Sequence, residues 1–93
     1  KTRPVVVIHS QLIEGLLSTS IICPITTQLS SATLLRVNVS LQDASTTGLS
    51  EPSDIIVDQI RSIDNQRLVK KLGELPPAQI EQLQKSLQTI LAV

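Results

Sequence analysis

Hydrophobic positions cluster in short runs through most of the chain and then form one long helical stripe at its end. Residues 4–8, "PVVVI", are a continuous apolar run rich in β-branched side chains, which are stiff at χ1 and favour extended backbone. They predict a short, fully buried strand directly behind Lys1, Thr2 and Arg3. "HSQLIEGL" follows, with Ser10 as a candidate N-cap for one helical turn closing near Gly15. "TSIICPIT", residues 19–26, predicts a second apolar strand, interrupted or bulged at Pro24 because proline donates no ladder hydrogen bond. After the polar loop "TQLSSAT", the stretch "LLRVNVSL" shows the cleanest alternation in the chain. Leu35, Val37, Val39 and Leu41 take one face, and Arg36, Asn38 and Ser40 the other, as in a half-exposed strand.

"QDASTTGLSEPSD" reads as a loop, with Gly48 and Pro52 as breakers. "IIVDQIRSI" reads as another strand, although its polar residues Asp58, Gln59 and Arg61 point to both faces. "DNQRL" reads as a turn, and "LVKKLGEL" as a shorter strand weakened by Gly73. Pro76 and Pro77 set the first turn of the strongest helix, residues 77–91. Ile80, Leu83, Leu87, Ile90 and Leu91 make its apolar stripe, while Gln79, Glu81, Gln82, Lys85 and Gln88 cover the opposite side. Glu81 precedes Lys85 by one turn, the favoured orientation for a helical ion pair. Short strands followed by a terminal helix predict an α+β domain: a small antiparallel barrel with a helix packed on it.

Composition narrows this picture. Ninety-three residues suit a single domain spanning 1–93. At this size folding buries roughly 60–65% of the extended chain's surface, so the core is thin and a partner subunit would help it. Phe, Trp and Tyr are absent, so that core is entirely aliphatic. Eight basic and eight acidic residues cancel, which counts against a general nucleic-acid binder. A local basic patch remains: "RSIDNQRLVKK", residues 61–71, holds four basic side chains against one acidic one. No apolar run approaches the ~20 residues that span a bilayer. The lone Cys23 cannot form an internal disulfide and, in an apolar strand, reads as a small core hydrophobe in a reducing, cytoplasmic setting.

Familiar catalytic signatures are missing: there is no G-x-G-x-x-G, no P-loop, no nucleophile elbow and no Cys/His cluster for zinc. His9 follows a strand and reads as a surface or loop residue. The polar residues within apolar strands carry more information. Thr26, Thr27 and Gln28 stand at a strand end, and Asp58, Gln59 and Arg61 interrupt another strand. A buried charge must be paired or must serve a function. One reading is a structural ion pair, Asp58 with Arg61 or Asp58 with Arg3. The other is a polar groove where strand-end side chains converge on a ligand. Spacing leaves both open.

"TRPVVVI", "ICPITTQ" and "VDQIRSID" occur in this order and at these intervals, and together they resemble the MazF/PemK toxins of bacterial toxin–antitoxin systems. The resemblance covers essentially the whole chain, including the terminal amphipathic helix. It implies an SH3-like barrel of the CcdB/PemK type, paired as a homodimer and working in the cytoplasm. It also implies a sequence-specific, metal-independent endoribonuclease that cuts single-stranded RNA, needs no cofactor and arrests growth. The implied protein partner is a cognate antitoxin with an acidic, disordered tail, which would provide the only, indirect, link to DNA. By motif, Arg3 matches the family's catalytic arginine and Thr26 its catalytic threonine or serine. Gln28, Asp58, Gln59 and Arg61 match positions lining the RNA groove.

The implied route has the ribose 2′-hydroxyl attack the neighbouring phosphate, leaving a 2′,3′-cyclic phosphate and a 5′-hydroxyl. It needs charge stabilisation on the phosphorane and proton transfer at two oxygens. The Arg3 guanidinium suits phosphate oxygens bidentately but is a poor base, because a guanidinium holds its proton firmly. The expectation is therefore Arg3 as electrostatic clamp and proton donor, the Thr26 hydroxyl on a phosphate oxygen, and Asp58 as the candidate base. Two features depart from the family pattern: the first strand with its glycine-rich loop, and any aromatic ring for base stacking. Two other readings use the same fold: a non-enzymatic toxin that poisons DNA gyrase, and an inactive dimer that binds antitoxin. The ending "QTILAV" lacks the aromatic terminus of the gyrase poisons.

Overall fold

The computed structural model describes residues 2–8, 15–30 and 35–92. His9 and the helical turn expected from Ser10 lie outside the described residues, as do residues 31–34. Five strands form one antiparallel sheet: β1 (Val5–Val7), β2 (Thr19–Thr26), β3 (Arg36–Val39), β4 (Ser53–Ile56) and β5 (Arg61–Asp64). A single helical turn, α1 (Ala44–Thr47), lies between β3 and β4, and the chain closes with α2 (Pro77–Leu91). No helix among the described residues is long and apolar enough to cross a membrane.

β2 organises the sheet because its middle, Ile21 to Ile25, is apolar and it is paired along both edges. Its first half pairs β1, with Val7 opposite Ile22 and Val5 opposite Pro24, and also pairs β5, with Arg61 opposite Ile22. Its last residues pair β4, with Ile25 opposite Ile55 and Thr26 opposite Asp54. Pro24 does not interrupt the strand; it marks the point where the partners change. From Ile22 to Ile25 is three steps on β2, but from Arg61 back to Ile55 is six on the partner side. A 3-10 turn at Val57–Gln59 takes up the surplus. The predicted strand 55–63 is therefore two strands around a corner, and a surplus of this kind bends a sheet over its own core.

The closed barrel expected from the strand count is instead a bent, open sheet among the described residues. β1 and β3 stand at the two ends of the strand path β1-β2-β4-β3 and do not pair with each other. Curvature comes from the corner, and closure is completed on one side by α2. The core lies inside the bend, where Cys23, Val37, Val39, Ile55 and Val57 pack against Leu83 of α2, none more than 5% exposed. Burying a side chain such as Leu83 contributes about 1.5–3 kcal/mol. Leu87 and Ile90 continue the contact, whereas Ile80 and Leu91 at the ends of the stripe stay largely exposed. The helix covers residues 77–91 as its periodicity predicted, and Lys85 pairs with Glu81 at 3.2 Å.

Two further expectations change. The region read as a loop before β4 carries a 3-10 turn at Leu41–Asp43, capped by the Ser40 hydroxyl, and then α1. β3 therefore ends at Val39, and Leu41 is turned outward. Residues 68–75, read as a strand, form no ladder; they run as an extended strap across α1. The Glu74 N–H donates to the Thr46 carbonyl at 2.9 Å. A Cβ at Gly73 would collide with the carbonyls of Thr46 and Thr47. Gly48, at φ +75°, ends α1 in the left-handed region, and a Cβ there would collide with the Leu72 carbonyl. The two glycines mark a close backbone crossing, not a weakened strand.

Candidate functional site

The antiparallel register brings the two principal site residues together. Val5 lies opposite Pro24, and the Ile25 N–H donates to the Pro4 carbonyl at 3.2 Å, extending the pairing beyond β1. One more step sets Arg3 abreast of Thr26. Pro4 has no N–H, so β1 loses its ladder there at no hydrogen-bonding cost. Arg3 and Thr26, with Pro4, Ile25, Thr27 and Ser53, line a surface cleft of about 220 Å³. The Arg3 side chain is exposed and makes no salt bridge among the described residues. The Thr26 hydroxyl accepts the Gln28 N–H at 3.1 Å, a local turn that leaves its own hydrogen directed elsewhere. A free guanidinium beside a half-buried hydroxyl at the end of a stiff strand is an anion-receiving arrangement.

The other predicted residues are not in that cleft. Asp58 and Gln59 lie exposed in the 3-10 turn at the β4–β5 corner, and Arg61 opens β5, also exposed. Arg61 faces Ile22, four positions along β2 from Thr26, a separation of roughly 13 Å at 3.3 Å per residue. By the two-residue alternation it shares the face that carries Thr26 and Arg3. The side chain of Gln28 is exposed just past Thr26. Neither the Asp58–Arg61 nor the Asp58–Arg3 ion pair forms. Among the described residues the ion pairs are Arg36–Asp54, Lys71–Glu74 and Lys85–Glu81.

The Arg36–Asp54 pair was not visible in the sequence. Asp54, read as the end of a loop, lies in β4 and is 1% exposed, opposite Thr26 on one side and Asn38 on the other. Its carboxylate accepts the Ser30 N–H at 2.8 Å and the Asn38 amide at 3.2 Å, with Arg36 at 3.5 Å. The signal was the polar face of β3, where Arg36 and Asn38 alternate with buried valines and call for a cross-strand partner. Finding that partner required the β3–β4 pairing. A second cleft, of about 390 Å³, lies where Arg36, Asn38 and Asp54 face Gln82, Lys85 and Ser86 of α2. Cys23 takes the core role expected of it: its thiol faces the Val57 carbonyl, and burial pushes it up to about 11.

The bent antiparallel sheet with its terminal helix thus sets an arginine and a threonine on a shared row at a strand end. Residues 1–91 match the family of the PemK-like, MazF-like toxin of type II toxin-antitoxin system, and the chain belongs to it. It is 35% identical over 91 residues to Endoribonuclease EndoA of Bacillus subtilis (strain 168), covering 98% of this chain and 77% of that protein. Its fold matches the Mycobacterium tuberculosis toxin MazF-mt6 with a TM-score of 0.84 at 23% identity, over 98% of this chain and 87% of that one. It also matches the MazE–MazF (Form-III) crystal structure from Deinococcus radiodurans, with a TM-score of 0.80 at 22% identity, over 97% and 85% of the two chains.

Proposed function

We propose that this chain is an endoribonuclease toxin that cuts single-stranded RNA at specific sequences, without a metal ion, in the Arg3–Thr26 cleft. The observation that carries the reading is the unpaired Arg3 guanidinium set abreast of the Thr26 hydroxyl. Its 35% identity to a protein named an endoribonuclease supports RNA cleavage over gyrase poisoning or an inactive dimer.

Attack by a ribose 2′-hydroxyl on the adjacent phosphorus places an extra negative charge on the non-bridging oxygens. Arg3 meets that charge with two parallel N–H donors, and Thr26 donates its hydroxyl hydrogen to a phosphate oxygen. The nucleophile and leaving group both belong to the RNA, so no metal-bound water is called for. Arg3 donates a proton toward the departing 5′-oxygen and regains one from solvent, and it does not accept the 2′-hydroxyl proton. Asp58, exposed in the β4–β5 corner outside the cleft lining, is the candidate acceptor carried by the motif.

Gln28, Gln59 and Arg61 extend the RNA path along the same face. With no aromatic ring in the chain, bases stack on guanidinium planes, for which Arg3 and Arg61 are placed. The roughly 13 Å between their rows means that they address different phosphates of one strand. The toxin acts as a cytoplasmic homodimer. An antitoxin with an acidic, disordered tail competes with RNA for the basic face and carries any contact with DNA. The test is incubation of the full chain with a long single-stranded RNA in EDTA. Discrete fragments, suppressed by the antitoxin, are expected; intact RNA, or gyrase inhibition in its place, refutes the reading.

A further inference from the structure

We propose that Asp54, acting with Arg36, is a positioning residue for cleavage: it holds residues 26–30 so that the Thr26 hydroxyl and the Gln28 side chain face the RNA. This role rests on the endoribonuclease reading above. Residues 27–30 lie beyond the β2 ladder, and two side chains restrain them. Asp54 Oδ2 accepts the Ser30 N–H at 2.8 Å. Arg36 Nη1, 3.5 Å from the same oxygen, donates to the Gln28 carbonyl at 3.1 Å. The Gln28 N–H in turn donates to the Thr26 hydroxyl oxygen at 3.1 Å. The Gln28 backbone is thus held at both ends, one end by the Thr26 hydroxyl and the other by a cation anchored on a buried carboxylate. Asn38, at 3.2 Å from Oδ1, keeps that carboxylate from turning.

Stability alone is a poor reason for such an arrangement. A buried ion pair is often no more stabilising than apolar side chains of the same volume. Its neighbour in β4, the fully buried aliphatic Ile55, faces the opposite side of the sheet, whereas Asp54 lies between Thr26 and Asn38 on its own face. The Asp54 carboxylate ties two β3 side chains, Arg36 and Asn38, to the Ser30 backbone of the loop. Because Thr26 is its register partner in β2, the anchor sits on the row that carries the chemistry. A displacement of about 1 Å at a reacting group can cost 10²-fold in rate.

The experiment measures kcat and KM on an RNA oligonucleotide containing the mapped cleavage sequence, using the full chain. Asp54→Asn keeps the volume and an oxygen for Ser30 but removes the charge that holds Arg36. We expect kcat to fall about 10–100-fold with KM within about 3-fold. Arg36→Met, which leaves the carboxylate in place but cuts the link to Gln28, should give the same split; it serves in place of Asp54→Asn if that variant does not fold. The decisive arm is the Thr26→Ala background, where adding Asp54→Asn should cost less than about 2-fold more, because both changes remove one contribution. Wild-type kcat in Asp54→Asn or Arg36→Met, or fully additive losses in the Thr26→Ala background, overturns the proposal. A wild-type chain that cuts no RNA refutes the parent reading and this role with it, and is told apart by the wild-type lane alone.

Discussion

Replacing Arg3 by alanine separates chemistry from folding, because the structure gives the side chain little to do in the folded state. It is exposed, it makes no salt bridge among the described residues, and it lies before β1 and outside its ladder. Surface changes of this kind usually alter stability by no more than about 0.5 kcal/mol. In the transition state, by contrast, the guanidinium faces the charge developing on the phosphorane oxygens. Removing one such preorganised donor typically costs about 10²–10³ in kcat, or about 2.7–4 kcal/mol. Arg3→Lys keeps the charge but not the two-pronged donor, and its rate should fall between the two. The assay pairs thermal unfolding with single-turnover cleavage of a defined RNA oligonucleotide. The expected result is an unchanged unfolding midpoint with a rate lowered by two to three orders of magnitude. Arg3→Ala cleaving at the wild-type rate would refute the assignment of the cleft.

Two other predictions concern the scaffold. Gly48→Ala should destabilise the fold by at least about 1–2 kcal/mol, the cost of a left-handed backbone at a residue with a Cβ, before the collision with the Leu72 carbonyl is counted. For a domain of this size the melting temperature should fall by about 4–8 °C per kcal/mol, and an unchanged value would contradict the close crossing of strap and α1. Cys23, raised from 9.0 to about 11 by burial, binds its proton more tightly folded than unfolded. Its contribution is therefore present in full below pH 9 and is lost as pH rises toward 11, on the order of 2 kcal/mol in all. Urea titrations across that range should show the loss in wild type and a flatter profile in Cys23→Ala; equal slopes would refute the burial argument.

Local order was legible wherever one periodicity dominated. β1, β2 and the alternation in β3 appeared because β-branched runs admit little else, and α2 because a proline start precedes an uninterrupted apolar stripe. The failures share a cause, since each depended on a partner distant in sequence. The corner at Val57–Gln59 exists because β2 exchanges β5 for β4 at Pro24, which no window around residue 57 contains. Gly73 read as a weak strand position, but it is required by the backbone of α1 passing beside it. The site divides in the same way. Arg3 and Thr26 could be named from motif, and the register sets them side by side. For Asp58 and Arg61 spacing left an ion pair and a ligand groove both open; the corner turns both residues to the surface, and no ion pair between them forms. Asp54, the buried carboxylate, was hidden in a stretch that reads as loop because its partners, Ser30, Arg36 and Asn38, lie 16 or more residues away.

The most direct test of the central claim is the chemistry of the cut ends. RNA digested by the full chain in EDTA is mapped by primer extension, and its ends are typed with polynucleotide kinase and phosphatase. The account predicts cuts at one short sequence, each leaving a 5′-hydroxyl and a 2′,3′-cyclic phosphate, and their loss in Arg3→Ala. Products bearing 5′-phosphate and 3′-hydroxyl ends, or activity that appears only when a divalent metal is restored, would contradict it.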